Sequence, residues 1–480
     1  MGFWRFVYNN IWSKYKQIIF CQILFITSQI LHYRLSLYQL TFKQNIIGGN
    51  LLYTAASIFS GGGFGDFGFK QAGFDTLVLC EKEKNRAEFL RRNYENSKVL
   101  CADVDTSVQE IIKITEAELL NKNHDSLFLL YATPPCQGIS KNGIGTILKA
   151  IKDGKRPEID RRNELYKPFL EMVSELKPRW IFFENVCRLF QFKGIDKNGN
   201  SSTLKNIIEN EIRELGYAGS IELTQMADYG IPQSRLRSVG LFRKCDNINC
   251  EQDISFMPSK THIESHWVKL QNIIGDLEPL DAASDQLRFS NSHKLHFVPK
   301  WRKELYHWMS QTPEGKTALD NTLCVICNHQ NKSDTIQCSN CKAELPIPNK
   351  LRGDVRNKIK GFPSSYRRIK WNKVAPTVTT RSAYACSDYN VHPTQNRVLS
   401  LLEIAKLQSI PHDELCWEGD DGELLPATLI RDLIGECVPT AFTKLIGNHI
   451  KEIENKLTTN KEIPLTKIAN LNKSQLELRI

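Results

Sequence analysis

Between residues 53 and 245 one pattern recurs: a short run of consecutive apolar residues that ends in glycine or polar residues, followed by a longer stretch with apolar positions three or four apart. The apolar runs are SIF before SGGGFG, TLVLCE (76–81), LFLLYATPP (127–135) and WIFFENV (180–186). Runs that are apolar at every position suit strands covered on both faces, as in a parallel sheet. KNRAEFLRRNYEN and LYKPFLEMVSELKP lie between them and carry the period of amphipathic helices. The alternation predicts an α/β fold built on a doubly wound parallel sheet. Ligands of such sheets bind beyond the carboxyl ends of the strands, where the polar residues of these runs have collected.

After about residue 245 the pattern gives way to polar, cysteine-bearing, proline-punctuated sequence that lasts to about residue 370. Helical periodicity returns in VLSLLEIAKLQSI (398–410) and PTAFTKLIGNHIKEIENKL (439–457), so the C-terminal part is expected to fold back on the first lobe. The expected organisation is an extension over 1–50, a first domain over 51–245, a smaller irregular lobe over 246–373, a returning segment over 374–457 and a polar tail over 458–480. There is no internal repeat.

The extension holds QIIFCQILFITSQIL (17–31) after the basic residues Arg5, Lys14 and Lys16, in the manner of a signal or anchor segment. Three glutamines, a threonine and a serine interrupt it, and it is shorter than the roughly 20 apolar residues of a spanning helix. It reads as a peripheral helix, or as translated leader ahead of a later true start, and no stable membrane association is expected. At 480 residues the chain exceeds what a single core of roughly 250–300 residues organises, in keeping with two lobes. A net charge of +10 suits a polyanionic partner, though a bland basic surface has the same balance. Fourteen cysteines scattered through a chain of this length point to reduced thiols and a metal site in a cytoplasmic protein, not to a disulfide framework.

Gly61, Gly63, Gly65 and Gly68 follow the first strand, where a backbone without side chains comes close to a ligand; a tight turn alone would also explain them. Glu81 ends the next strand and is placed to accept hydrogen bonds from ribose hydroxyls, which fits an adenosine-bearing cofactor. Cys136 follows LFLLYAT at the same edge. Pro134 and Pro135 fix two backbone angles before it, so the thiol is held. A lone cysteine is more often a buried structural residue. Its company here is Glu184 and Asn185 after WIFF, and Arg235 and Arg237 in YGIPQSRLRSVG. A thiol, a carboxyl and two guanidinium groups at one edge form a constellation expected of a reactive site.

The order FSGGG, Glu81, Asp103, PPCQG, ENV, QSRLR, APTVTT to HPTQNRVLSLLEIAKLQSIP, and GECVP resembles the DNA (cytosine-5) methyltransferase family, over roughly residues 52–450. Cytosine C5 is a poor nucleophile until a thiolate adds to C6, a task that suits a held cysteine, Cys136. The resemblance implies that Glu184 acts at N3 of the base, that Arg237 holds its O2, and that Arg235 gives electrostatic support. It implies S-adenosylmethionine as methyl donor, met by Phe59, Gly61 and Gly63, with Glu81 on the ribose and Asp103 near the adenine amine. It implies double-stranded DNA as partner, with the cytosine flipped out of the helix, and a cognate restriction endonuclease. Two positions depart from the family pattern: Phe64 then Gly65 where a second glycine pair is usual, and Glu436 in GECVP, an acid near the donor's carboxylate.

Cys324, Cys327, Cys338 and Cys341 form two C-x-x-C pairs separated by ten residues, the spacing of a structural zinc site. They lie where the family carries its variable target-recognition region, so zinc is expected to stabilise a loop-rich lobe with little core of its own. The expected fold is therefore an S-adenosylmethionine-dependent methyltransferase sheet with a smaller target-recognition lobe bearing a zinc knuckle. The alternatives are an RNA cytosine-5 methyltransferase, whose recognition segment is usually compact, and a catalytically silent zinc-bearing DNA-binding protein.

Overall fold

The computed structural model describes residues 53–135, 153, 164–246 and 253–459. The apolar run at 17–31, Cys136 and the tail beyond residue 459 lie outside the described residues.

The first lobe alternates β1 (Tyr53–Ile58), α1 (Phe64–Gln71), β2 (Phe74–Glu81), α2 (Lys84–Asn93), β3 (Lys98–Cys101), α3 (Val104–Asn121), β4 (Leu129–Ala132), α4 (Tyr166–Leu176), β5 (Trp180–Val186), α5 (Leu204–Glu214), β6 (Tyr217–Gln225) and β7 (Leu236–Lys244). The seven strands form one sheet in the order β3-β2-β1-β4-β5-β7-β6. The all-apolar runs sit at its centre: β4 is buried at every position, and β5 at every position but its last. β1 to β5 are parallel, as the pattern predicts. β7 is antiparallel to both β5 and β6, so the sheet is mixed where a parallel one was expected. The connection between β6 and β7 is the cause: residues 226–235 are too few for the helical crossover that a parallel return needs.

Helices cover both faces. Val108 and Ile111 of α3, Phe169 and Val173 of α4, and Ile208 and Ile212 of α5 pack on Ile58, Leu130, Ile181 and Phe183. On the other face Phe69 of α1 joins Phe442, Ile446 and Ile450 of the C-terminal helix (Thr440–Thr459) over Ala55, Leu129, Phe182 and Leu241. The C-terminal helix is thus a full layer of the fold. Glu454 pins that helix by accepting from Trp180 Nε1 at 2.9 Å and Arg243 Nε at 2.7 Å. At Gly68 a methyl group would lie 2.2 Å from the carbonyl oxygen of Thr440, so only glycine lets the two helices approach this closely.

The irregular lobe holds more core than its sequence suggests. Leu280, Val298, Trp301, Trp308, Met309, Tyr366, Val391 and Val398 form a buried cluster around a short helix over Lys303–Ser310. The missing signal is periodicity, because these side chains come from loops scattered over more than a hundred residues. Two further helices, Leu401–Leu407 and Ala427–Glu436, pack with Phe64, Phe89 and Trp417. Among the described residues no helix is long and apolar enough to cross a membrane.

A buried ion pair anchors the returning segment. Arg397 reaches both oxygens of Glu403, at 2.6 and 2.7 Å, and the same carboxylate closes a capping box with Ser400. Burial pushes the Glu403 carboxyl up, but the Arg397 guanidinium and the Ser400 amide override it and hold it at about 2. A depressed carboxyl contributes stability above its unfolded pKa and loses it as the pH falls through the folded value, here between about 4.5 and about 2. Arg397→Met leaves the carboxylate buried and unpaired, and is expected to cost roughly 3 kcal/mol in urea unfolding at neutral pH.

Candidate active site

The carboxyl edge of the sheet opens into a cleft of about 2350 Å³ lined by Phe59, Gly61, Glu81, Asp103, Pro134, Pro135, Glu184, Arg235 and Arg237. A small-molecule pocket typically measures about 300–1,000 Å³, so this cleft has room for a cofactor and a segment of a larger substrate together.

At one end, Phe59 and Gly61 adopt positive φ, 57° and 58°. A methyl group on Gly61 would meet nothing within 4 Å, so its backbone is open to the cleft. Glu81 is buried and accepts from the amides of Gly61 and Glu83, both at 2.9 Å. Each of its oxygens keeps a second lone pair for a hydroxyl group. Asp103 caps α3 through Asp105 N at 3.2 Å and pairs with Lys82 at 2.8 Å. The Lys82 hydrogen bond holds its carboxyl below the usual range.

Gly63 serves the packing instead. It does not line the cleft, and a methyl group there would lie 2.7 Å from Leu90 and Tyr94 of the adjoining segment, while the Tyr94 hydroxyl donates to its carbonyl. The departures from the family pattern are compensated. Phe64 is buried against Phe89 and Trp417, each at a ring distance of 5.8 Å. Gly65 leaves space that the Tyr131 hydroxyl takes, 2.2 Å from where a methyl group would stand. Glu436 meets Arg86 at 2.5 Å, so its charge is matched at the rim of the cleft. Arg86 is a functional candidate that the sequence reading missed, since the two residues lie 350 positions apart.

At the other end, the reversed direction of β7 sets its beginning beside the end of β5, with Arg237 opposite Val186 and Val239 opposite Glu184. Arg237 Nε stands 3.1 Å from Glu184 Oε1. Burial raises the Glu184 carboxyl above its ordinary range, while Arg237 and Arg235 pull it down. Asn185 Nδ2 donates to the Pro134 carbonyl at 3.2 Å, tying β5 to the two prolines ahead of Cys136. That hydrogen bond is a positioning role for Asn185 which its place after WIFF did not announce. Arg235 is 1 % exposed and donates to the carbonyls of Val378 at 3.1 Å and Cys437 at 2.8 Å. It works as a clamp between the returning segments and the sheet, so its charge reaches Glu184 while its two terminal nitrogens donate mainly to backbone carbonyls.

The four cysteines expected to bind metal converge, with all four sulfurs within 4.8 Å of one another. The two knuckles share one geometry: Asn328 and Lys342, each four residues after the first cysteine of its pair, take positive φ of 55° and 64°. Asn331 ties them together, donating to the His329 carbonyl at 2.9 Å and accepting from Ser339 N at 2.8 Å. Leu345 and Ile347 are the only large apolar side chains buried with this cluster among the described residues. His293, His412 and Asp413 also meet. There His293 Nδ1 accepts from Leu295 N at 3.0 Å, which leaves the proton on Nε2, facing Asp413 at 3.1 Å, as hydrogen bonding and not metal ligation requires.

A family model described as C-5 cytosine-specific DNA methylase matches residues 53–452. The chain is 31% identical over 424 residues to the Type II methyltransferase M1.HgaI of Avibacterium volantium, covering 86% of this chain and 99% of that protein. It is 28% identical over 396 residues to M1.HphI of Haemophilus parahaemolyticus, with 81% and 86% covered. A solved E. coli prophage protein, described as a candidate DNA modification methyltransferase, aligns with a TM-score of 0.52 at 19% identity, over 84% of this chain and 99% of that one; at that identity the likeness concerns the fold alone. With the matched region spanning the whole sheet, the cleft and the returning helices, the chain belongs to the C-5 cytosine-specific DNA methylase family.

Proposed function

We propose that the chain methylates C5 of cytosine in a specific short site of duplex DNA through a transient bond between Cys136 Sγ and C6, as the modification half of a restriction-modification system. The observation that carries this reading is the pair of buried Glu184 with half-buried Arg237, held beside Pro134 at the edge of the cleft. The protonated Glu184 donates to N3 as the Cys136 thiolate adds to C6, and Arg237 donates to O2, so that C5 becomes enamine-like. S-adenosylmethionine, when bound, supplies the electrophilic methyl group. The open backbone at Gly61, the strand-end carboxylate of Glu81 and the half-buried acid Asp103 fit the methionine, ribose and adenine parts of that cofactor. Once C5 has taken the methyl group, N3 returns its proton to Glu184, a base from solvent takes the C5 proton, and the electron pair of that C–H bond expels the Cys136 thiolate and restores the aromatic ring. Arg235 keeps the surrounding loops in place.

On this reading residues 51–245 are the catalytic domain, 246–373 recognise the target, 374–457 complete the catalytic domain, and 1–50 and 458–480 flank them in a cytoplasmic enzyme. The relatives' description as Type II methyltransferases supports the modification role, and a cognate endonuclease is proposed with it as genetic partner. Bisulfite sequencing of plasmid DNA from cells expressing the full chain is expected to reveal methylcytosine in one sequence context. Methylation confined to RNA, or none from soluble protein, would remove this reading.

Cys324, Cys327, Cys338 and Cys341 are assigned to one structural zinc ion. Thiolates around zinc lie about 2.3 Å from it, hence about 3.8 Å apart, and the observed sulfur pairs stand at 3.5 Å. Elemental analysis of the purified chain is expected to give one zinc per molecule, and Cys338→Ser to lose it. An intact chain that carries no zinc at any stage of purification would refute the assignment.

A further inference from the structure

Phe362 is the most exposed large apolar side chain among the described residues, at 78 %. It is not on a loose loop. Its amide donates to Ser365 Oγ at 3.1 Å, Ser365 N donates back to its carbonyl at 2.9 Å, and Ser365 itself is buried, its carbonyl taking the Thr317 hydroxyl at 2.7 Å. Pro363 follows directly and fixes the next backbone angle. A fixed backbone turn therefore presents the ring to solvent. Phe362 lines the same cleft as Glu184 and Arg237, and Arg367, Lys370, Lys373 and Arg381 line it too. The cations suit a phosphate backbone, and a flat apolar ring exposed in the same cleft suits the face of a base.

C5 and C6 of cytosine are out of reach inside a duplex, so the target base must leave the stack, and the step it leaves is open to an apolar side chain. We propose that Phe362 inserts into the duplex beside the target cytosine and takes over the stacking lost when that base swings into the cleft. The proposal rests on the reading of this cleft as the site of DNA methylation.

The test compares the full wild-type chain with Phe362→Ala and Phe362→Trp on two short duplexes carrying the site found by bisulfite sequencing. One duplex is fully paired, and in the other the target cytosine faces a mismatched base. Phe362→Ala is expected to lower kcat/KM on the paired duplex on the order of tenfold, the share of one stacked base. The loss should shrink on the mismatched duplex, where extrusion is already easier, and Phe362→Trp should restore most of the rate. Thermal melting should be unchanged, because the ring packs on nothing that holds the fold. An equal loss on both duplexes, an unchanged rate on both, or a lowered melting temperature overturns the proposal. A wild-type chain that methylates neither duplex instead removes the underlying reading, and the proposal with it.

Discussion

A Cys136→Ser chain is expected to lose methyl transfer by on the order of a thousandfold or more, while still retarding duplex DNA in a gel shift. The reason is chemical. A thiol releases its proton near pH 8.5 and is already partly thiolate under working conditions, whereas a serine hydroxyl needs a strong base to reach a comparable nucleophile. The residue lies outside the described region, but its approach is fixed. β4 ends at Ala132, the Thr133 hydroxyl donates to the Phe59 carbonyl at 2.9 Å, and Asn185 holds the Pro134 carbonyl. Transfer of a tritiated methyl group to plasmid DNA measures the loss. A duplex with 5-fluorocytosine at the target adds a direct readout: C5 then has no proton to release, so the bond to Cys136 should persist through denaturing electrophoresis in the wild type and be absent in the variant. A serine chain working near the wild-type rate would take the covalent step away from Cys136.

Glu184→Gln is expected to cost between about a hundredfold and ten-thousandfold in kcat, the usual share of a general acid. Glutamine keeps an oxygen for Arg237 but has no acidic proton for N3. The pH profile gives the sharper test. Burial raises the Glu184 carboxyl despite Arg237 and Arg235, so the protonated form persists to higher pH than in an ordinary glutamate. Since that form donates, the wild-type rate should fall as the pH rises through the raised value, and Glu184→Gln should lose this limb of the profile. The stability linkage has the same sign. A raised carboxyl contributes stability below its unfolded pKa and loses it as the pH rises through the folded one, so the glutamine chain should melt no lower than the wild type at neutral pH. A variant with an unchanged pH profile would assign the proton to another group.

Much of the site is legible in the sequence because each of its parts is local. The glycines, Glu81, the two prolines and Glu184 all follow apolar runs, and a run buried in a parallel sheet ends at the ligand edge wherever it falls in the order of strands. What escapes is long-range. Nothing near Arg86 announces Glu436, and nothing near Phe64 announces the space between Phe89 and Trp417. Gly63 shares a motif with residues open to the cleft yet meets α2, and Arg235, although at the cleft, clamps carbonyls of the returning segment. A motif fixes which residues are near one another in the chain, while packing decides which of them faces the substrate.

The sequence by itself determined the α/β lobe, the sheet edge at which the cleft opens, the four-cysteine cluster and the kind of reaction, because strand burial, cysteine spacing and thiol reactivity are properties of short segments. Only the tertiary structure decided the reversed direction of β7, which follows from a short connection and sets Arg237 against Glu184. It also decided that the irregular lobe has a core assembled from distant loops, and that Phe362 is left outside that core, facing the cleft. Such outcomes depend on which distant surfaces fill one another's space, and no segment carries that information alone.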